Sequence, residues 1–307
     1  MKTGGFEGMI RNAFGLLWEG GGAKGAFGVG FLLKLKERLP ELTFKILSGA
    51  SVGGINILPV CIDDYKLLKE GWEEIKKHKA LKLRLFPTIF DTGEMRKFFH
   101  YLIEEKNLFE RLMESDNTCL ILSVSKGKGP IVFTNKDLSG SSFRYYKMKS
   151  REDLLIALLG TSSIPYFFPS VEFNGEILID GGVYSPLPLE PLVEVSDVKK
   201  IVAIVHEPFG KWKVSSTYSF LHPFNALIEN VTRKIVKKEM DKWSREGTYI
   251  FKFRDREIFL VYPEEELSAV LDFSEKAINR NLRIGEETFE KIGKDVVKFL
   301  LGDKSES

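Results

Sequence analysis

The sequence predicts an α/β fold, a three-layer α/β/α sandwich with a mostly parallel central sheet. Two observations lead to this prediction. Short apolar runs, as in buried strands, alternate along the chain with helical patterns, and the first two runs pass through small-residue turns into helices. The 307 residues and their 43% hydrophobic share are also enough for one large core. We therefore expect a single domain over residues 1–302 and a disordered tail over residues 303–307.

The first half of the chain begins with a predicted strand, a turn and a helix, and this order is then repeated. The first strand is predicted at 13–18, before three glycines, and the helix after it ends near Pro40. A second strand at 43–47 runs into the turn SGASVGG and another helix. Further helices are predicted at 65–79 and 92–112. Paired strands follow at 119–125 and 131–134, and Ser150 caps a helix at 154–160.

The second half of the chain predicts strands that complete the sheet and helices that cover it. Strands are expected at 171–173, 177–179 and 201–205, and a strand pair is expected near 249–262. Long amphipathic helices are expected at 219–245 and 265–300.

One stretch of the first of these helices, residues 227–243, allows two interpretations. Its apolar side chains are predicted on one face and its basic side chains largely on the other: Leu227, Val231, Ile235, Met240 and Trp243 against Arg233, Lys234, Lys237, Lys238 and Lys242. Such a helix either rests on anionic lipid or packs on the core with a solvated basic face. A second basic run, at residues 76–84, has the same two interpretations.

Composition argues against several classes of function. Lysine and arginine total 45 and aspartate and glutamate total 43, so a net charge of +2 argues against a nucleic-acid partner. Cys61 and Cys119 lie far apart in apolar segments, and the four histidines show no ligand spacing, so we expect no disulfide framework and no metal site. The chain shows no signal-peptide pattern and no apolar run of ~18 residues. We expect a cytoplasmic protein, with peripheral contact to a membrane left open.

The strongest local motif is a G-x-S-x-G sequence between a predicted strand and a predicted helix. It runs from Gly49 through Ser51 to Gly53. A sharp strand-to-helix turn exposes a serine Oγ, and small neighbours relieve the crowding around it. The helix N-terminus also favours a developing negative charge on that oxygen. Ser51 is therefore a candidate nucleophile.

A glycine-rich turn precedes the first predicted helix. Its residues are Gly20, Gly21, Gly22, Ala23, Lys24 and Gly25. Such a turn exposes backbone N–H groups that bind an anion or an oxyanion. The segment also contains G-x-G-x-x-G, but a dinucleotide site needs an acidic residue after the next strand, and Glu41 precedes that strand. An oxyanion hole is favoured over a nucleotide site and over a purely structural turn.

The third motif is Asp180, Gly181 and Gly182, directly after the apolar predicted strand at 177–179. An aspartate followed by two glycines either forms a turn or holds a carboxylate over a site. Beside an exposed serine and an oxyanion turn, the second interpretation is favoured.

Together and in this order, the three motifs resemble those of the patatin-like phospholipases. The resemblance extends to residues 157–169 (ALLGTSSIPYFFP), to Pro188 after the Asp-Gly-Gly motif, and to residues 271–292, which are similar to the C-terminal helix of the family. It covers most of the chain. Lys24 stands where the family usually has arginine, and Ser185 and Pro186 replace a commoner asparagine pair.

The resemblance implies a lipid acyl hydrolase that works through a Ser–Asp dyad. Ser51 would attack an ester carbonyl, Asp180 would accept its proton, and N–H groups around Gly21, Gly22 and Ala23 would stabilise the oxyanion. It implies a lipid ester as substrate and no cofactor, metal or nucleotide. The lipid class, the acyl position and the oligomeric state stay open.

Two other functions compete with the dyad. The chain order Ser51, Asp180, His206 matches a Ser–His–Asp esterase, because His206 follows the predicted strand at 201–205. A non-catalytic lipid-binding module on the same fold is the second alternative.

Overall fold

The computed structural model describes residues 13–77, 82–83, 90–208 and 222–302. The predicted tail at 303–307 and most of the basic run at 76–84 lie outside the described residues.

The described residues form thirteen strands, eleven of which belong to one central sheet. The strands are β1 (Phe14–Trp18), β2 (Phe44–Ala50), β3 (Lys82–Leu83), β4 (Phe90–Asp91), β5 (Thr118–Ser125), β6 (Gly129–Thr134), β7 (Arg144–Lys147), β8 (Val171–Phe173), β9 (Glu176–Asp180), β10 (Lys200–Ile204), β11 (Ser244–Arg245), β12 (Ile250–Phe253) and β13 (Arg256–Val261). Nine of the strands follow one another in the order β11-β12-β13-β10-β1-β2-β5-β6-β7, and in the described part of the chain β3 and β4 form a separate pair. Strands β13, β10, β1, β2 and β5 are parallel neighbours. Antiparallel β9 also pairs with β5, and β8 pairs with β9.

Helices cover both faces of this sheet. They are α1 (Ala26–Arg38), α2 (Val52–Cys61), α3 (Tyr65–Lys77), α4 (Gly93–His100), α5 (Leu108–Glu114), α6 (Arg151–Thr161), α7 (Leu189–Glu194), α8 (His222–Met240) and α9 (Glu275–Leu301). Short 3-10 turns lie at Gly22–Gly25 and Gly181–Val183, and a π-helical turn lies at Tyr101–Glu105.

Strand β1 shows how the layers form. Leu16 and Trp18 point into the core shared with α1, α2 and α9, whereas Leu17 points into the core shared with α7 and α8. Successive side chains of a strand point to opposite faces, so an uninterrupted apolar run serves a sheet that is covered on both sides. The predicted three-layer α/β/α fold is therefore confirmed.

Three predicted helices differ from the structure. The helix expected at 219–245 ends at Met240, and Ser244–Arg245 form strand β11. The helix expected at 92–112 is divided into α4, the π-helical turn and α5, because Asn107 takes a left-handed backbone conformation (φ 51°) that interrupts the helix. The helix expected at 265–300 begins only at Glu275. Ser274 caps it by accepting a hydrogen bond from the Ala277 N–H at 3.2 Å, and residues 265–274 are irregular.

Helix α8 presents a different face from the one predicted. Met240 is buried as expected, but Leu227 and Val231 are exposed and Arg233 is buried. The predicted division into one apolar face and one basic face is therefore wrong for the first half of this helix. Its inner side carries charged groups, for which the site described below gives the reason.

In the part of the chain that the structure describes, no helix combines the length and the apolar character needed to span a bilayer.

Candidate active site

The ends of two strands meet on β5. The parallel pairing of β2 with β5 ends where Ala50 lies opposite Leu122, and antiparallel β9 pairs with the next residues, so that Asp180 lies opposite Ser123. Ser51 follows Ala50 directly. The sheet register therefore brings Ser51 and Asp180 to the same point, although 129 positions of sequence separate them. Such a position, beyond the carboxyl ends of the parallel strands, is where ligands bind in open α/β sheets.

Ser51 occupies a strained turn between β2 and α2. Its backbone lies at φ 52° and ψ −132°, a sparsely populated conformation for a residue other than glycine. The Ser51 N–H donates to Thr161 Oγ1 at 2.9 Å, and the Thr161 hydroxyl donates to the Leu122 carbonyl at 2.6 Å. Thr161 thus connects the strained residue to β5.

The glycines on either side of Ser51 allow this turn to close. A Cβ on Gly49 would lie 2.4 Å from the carbonyl carbon of Gly53, and a Cβ on Gly53 would lie 2.2 Å from the Trp18 carbonyl oxygen. Neither distance is compatible with a side chain, so the motif requires glycine at both positions. The turn leads directly into α2 and leaves Ser51 at the N-cap of this helix, where the helix dipole favours negative charge.

The carboxyl group of Asp180 is buried, and one of its two oxygens accepts a hydrogen bond. Its Oδ1 accepts the Gly182 N–H at 2.6 Å, while Oδ2 has no partner within hydrogen-bond geometry among the described residues. Burial raises the pKa of Asp180 from 3.8 to about 7, against the opposing effects of the Gly182 N–H and the Ser51 hydroxyl. The Ser51 side chain therefore lies close enough to influence this carboxyl, although the two do not form a complete hydrogen bond in this conformation.

The glycine-rich turn lies beside Ser51. A Cβ on Gly20 would lie 3.1 Å from the Cβ of Ser51. Three N–H groups of the turn are already bonded within the protein: those of Gly20 (to Pro186 O, 2.9 Å), Ala23 (to Val270 O, 2.8 Å) and Lys24 (to Gly21 O, 3.1 Å). The Ala23 N–H, which was expected to face an oxyanion, is thus occupied. Among the described residues, the N–H groups of Gly21 and Gly22 have no such partner, and their φ values of 153° and 54° suit glycine.

Two asparagines hold the carbonyl groups of this turn. Asn281 on α9 donates to the Ala23 carbonyl at 3.0 Å, and Asn56 on α2 donates to the Gly25 carbonyl at 3.2 Å. Both asparagines are buried, so these bonds satisfy polar groups that water does not reach. The turn is fixed by two helices and does not depend on its own sequence alone.

Lys24 points away from the expected oxyanion hole into a buried cluster of charges. Its Nζ lies 2.5 Å from Glu207 Oε1 and 3.3 Å from Glu229 Oε1. Arg233 lies 3.0 Å from the other oxygen of Glu207 and 3.5 Å from that of Glu229. All four side chains are buried, and their charges balance. This charge cluster (Lys24, Glu207, Glu229, Arg233) connects the glycine-rich turn to the inner side of α8.

His206 lies beneath the glycine-rich turn. Its backbone N–H donates to Glu19 at 2.6 Å, its Nδ1 lies 3.2 Å from the Gly20 carbonyl oxygen, and its ring faces Gly21, where a Cβ would lie 2.8 Å from Nδ1. Burial lowers the pKa of His206 to about 3 and raises the pKa of Glu19 to about 8. Both groups are therefore mostly uncharged near pH 7. Among the described residues, His206 contacts the turn and not Asp180, so the structure does not arrange a Ser–His–Asp triad.

Ser51 and Gly22 line an apolar cavity of about 250 Å³. It continues between α2, α3 and the segment from α4 to the π-helical turn. Its walls are almost entirely hydrophobic, and they include Ile55, Pro59, Leu67, Leu68, Trp72, Ile75, Met95, Phe98, Leu102, Phe168, Val270 and Leu271. Such a shape and lining suit an extended hydrocarbon chain attached to a group that reaches Ser51.

The sequence model of the patatin-like phospholipases matches residues 16–193. This match covers more than half of the chain and contains all three motifs. The chain belongs to the patatin-like phospholipase family. A search of the curated proteins found no match.

This chain is also similar to several solved structures. The structure of human GIVD cytosolic phospholipase A2 shares 11% identity, with a TM-score of 0.54 over 96% of this chain and 60% of that one. The same human protein in complex with methyl gamma-linolenyl fluorophosphonate gives 13% identity and a TM-score of 0.49 over 94% of this chain and 58% of that one. VipD from Legionella pneumophila gives 14% identity and a TM-score of 0.46 over 93% and 67%. This chain is thus about 60% as long as the aligned human chains, and at these identities the likeness concerns the fold alone.

In this member of the family, the residues predicted for the site lie together: Ser51, Asp180 with Gly181 and Gly182, and the glycine-rich turn. Gly181 packs against β5, where its Cβ would lie 2.1 Å from the Leu122 carbonyl oxygen. The sequence analysis missed the supporting residues Thr161, Asn56 and Asn281. Thr161 and Asn281 lie in the two outer segments that resemble the family, at 157–169 and 271–292, and this was the only signal for them.

Proposed function

We propose that this protein is a serine acyl hydrolase that cleaves fatty-acyl esters of lipids through Ser51 and Asp180. One observation carries the proposal. A strained serine and a buried carboxyl meet at β5. The serine lines an apolar cavity, and beside it are two backbone N–H groups that have no partner among the described residues. This combination supplies a nucleophile, a base, an oxyanion site and an acyl site in one place.

In the acylation step, Ser51 Oγ attacks the ester carbonyl carbon and its proton passes to Asp180 Oδ2, the oxygen without a partner in the described structure. The carbonyl oxygen becomes an oxyanion that accepts hydrogen bonds from the N–H groups of Gly21 and Gly22. The tetrahedral intermediate then breaks the bond to the leaving oxygen. Asp180 returns the proton to that oxygen, and the alcohol leaves an acyl-Ser51 ester.

In the deacylation step, Asp180 takes a proton from a water molecule that attacks the acyl carbon. The second tetrahedral intermediate releases a fatty acid, and Ser51 Oγ recovers its proton from Asp180. A carboxyl of ordinary pKa is a poor base for a serine hydroxyl. Because burial raises the pKa of Asp180 to about 7, its ionised form is more basic than an exposed carboxylate, yet part of it is ionised at neutral pH.

The surroundings of the glycine-rich turn favour an oxyanion. Glu19 precedes the turn, and its raised pKa, about 8, keeps it mostly uncharged at pH 7. The carboxylates of Glu207 and Glu229 are paired with Lys24 and Arg233. No unpaired negative charge of these residues therefore opposes the charge that develops on the substrate oxygen.

The test is hydrolysis of phospholipid, lysophospholipid and acylglycerol substrates, with fatty-acid release followed by mass spectrometry. We expect release by the wild-type protein and none above background by Ser51→Ala or Asp180→Asn. Ser196→Ala and Asp255→Asn are matched controls, because the Ser196 hydroxyl donates to the Leu192 carbonyl in α7 and Asp255 lies at the surface. Release by Ser51→Ala at the wild-type rate would reject the proposed nucleophile. Binding of lipid without release by the wild-type protein would favour the binding module.

A further inference from the structure

The first half of helix α8 buries polar side chains and exposes apolar ones. Its inner side carries the buried polar groups Asn225, Glu229 and Arg233, whereas Leu227 and Val231 on its outer side are 57% and 48% exposed. A helix that only packs on a core has the opposite arrangement. The charge cluster explains the inner side, because Glu229 and Arg233 pair with groups below the helix. It does not explain why two large apolar side chains face solvent.

The outer side of α8 forms one continuous stripe. Leu227, Val231, Lys234 and Lys238 follow one another at intervals of four, three and four residues, so they share one face of the helix. Lys234 and Lys238 are exposed, and neither has an ion-pair partner among the residues that the structure describes. We call these four residues the outer stripe. It presents an apolar part followed by a positively charged part.

The outer stripe lies on a helix that packs against the wall of the apolar cavity. Phe224 and Ile228, in the first turns of α8, pack against a cluster that contains Phe168, Val270 and Leu271, which also line the cavity. The first turns of α8 therefore pack against residues that form one wall of the cavity.

A further exposed aromatic residue belongs to the same end of the molecule. Tyr166 is 86% exposed, and the ring of the next residue, Phe167, lies 5.6 Å from that of Phe224. Tyrosine is enriched at membrane–water interfaces, where its ring meets apolar groups and its hydroxyl stays in water.

We propose that the outer stripe and Tyr166 dock this protein on the surface of a lipid bilayer that contains anionic headgroups. Leu227 and Val231 enter the boundary between headgroups and acyl chains, and Lys234 and Lys238 meet the negative charge. Charge complementarity favours this partner. Two lysines without an ion-pair partner in the described structure lie beside exposed apolar groups, and this arrangement matches the anionic boundary between headgroups and acyl chains. Docking here holds the cavity wall against the substrate layer. The purpose of docking rests on the proposed function, whereas the experiment that tests docking is independent of catalysis.

The test is co-sedimentation with vesicles of diether phospholipids, which contain no ester for the protein to cleave. One set of vesicles is phosphatidylcholine, and the other contains phosphatidylglycerol as well. We expect wild-type protein to bind the anionic vesicles more tightly, with weaker binding as salt concentration rises. The double variants Leu227→Ser/Val231→Ser and Lys234→Glu/Lys238→Glu should each bind at least tenfold more weakly, since one basic residue near such a surface contributes about fivefold.

The controls separate docking from catalysis and from general charge. Ser51→Ala should bind as the wild type does, so a protein that docks but does not hydrolyse would contradict only the proposed function. Lys276→Glu/Lys294→Glu changes the net charge by the same amount as the lysine variant of the outer stripe, but on the exposed side of α9. Ile177→Ser removes an apolar side chain on β9 that is 39% exposed. Both should bind as the wild type does. Unfolding temperatures of all variants should lie close to that of the wild type.

Three results would overturn the docking proposal. Equal binding by wild type and both outer-stripe variants would show that other residues meet the membrane. Absence of wild-type binding to either vesicle would reject docking altogether. A wild-type dimer in sedimentation velocity that Leu227→Ser/Val231→Ser converts to a monomer would identify the stripe as an interface between two copies of the chain.

Discussion

Replacing Asp180 by asparagine should stabilise this protein in a pH-dependent manner. Burial raises the pKa of Asp180 from 3.8 to about 7. In the unfolded chain the group ionises near its ordinary pKa, so the folded state binds the proton more tightly than the unfolded state. The difference in proton binding contributes to the free energy of unfolding. This contribution has its full value below about pH 4 and is lost as the pH rises toward about 7.

The size of the effect follows from the difference between the two pKa values. It corresponds to about 4 kcal/mol of unfolding free energy at alkaline pH, of which about 3 kcal/mol is lost between pH 5 and pH 8. Asparagine has no charge to bury, and its Oδ1 still accepts a hydrogen bond from the Gly182 N–H. Glu19 and Glu239, whose pKa values are also raised by burial, contribute equally to both proteins and cancel in the comparison.

The assay is urea unfolding of wild type and Asp180→Asn at several values between pH 5 and pH 8. We expect the advantage of the variant to increase by about 3 kcal/mol over this range, while its hydrolytic activity is lost. Ser51→Ala is the matched control: it also lacks activity but keeps the buried carboxyl, so its stability should fall with pH as that of the wild type does. A difference between Asp180→Asn and wild type that is constant across pH would refute the reasoning.

Three further predictions concern the turn, the cavity and the charge cluster. Gly21→Ala places a Cβ 2.8 Å from Nδ1 of His206 at a φ of 153°, so the turn must shift, and kcat on a p-nitrophenyl ester should fall on the order of 100-fold. Gly71→Leu should shift the substrate preference toward shorter acyl chains, because Gly71 lines the cavity opposite Phe98. The values of kcat/KM for butanoate, octanoate and hexadecanoate esters measure this preference. Arg233→Met leaves two buried glutamates with one lysine between them and should lower the unfolding free energy by about 3–5 kcal/mol in urea, whereas Arg233→Lys should restore most of it.

The central fold and the nucleophile turn could be predicted because both depend on local sequence. Short apolar runs specify buried strands, and the glycines at positions 49 and 53 specify a close approach of backbone to backbone. The meeting of Ser51 with Asp180 is different, since it depends on the register of β2 and β9 along β5. Only the order of the three motifs and their resemblance to a family indicated it.

The errors have a common physical cause. Periodicity reports which residues of a helix share a face, but it does not report which face is buried. In α8 the buried face is the polar one, because Glu229 and Arg233 find partners in Lys24 and Glu207, which are distant in sequence. In the same way, the backbone N–H of Ala23 is occupied by a carbonyl of a segment near residue 270 that no local pattern connects with the turn.

The most direct test of the central claim is labelling with a fluorophosphonate probe, read by intact mass and peptide mapping across pH. We predict one adduct on Ser51 and none in Ser51→Ala. In the wild type the labelling rate should rise as the pH increases through about 7, as Asp180 ionises. Asp180→Asn should react slowly and without this dependence, and His206→Ala should keep the adduct. An adduct on another residue, or labelling lost with His206→Ala and kept with Asp180→Asn, would contradict the Ser51–Asp180 dyad.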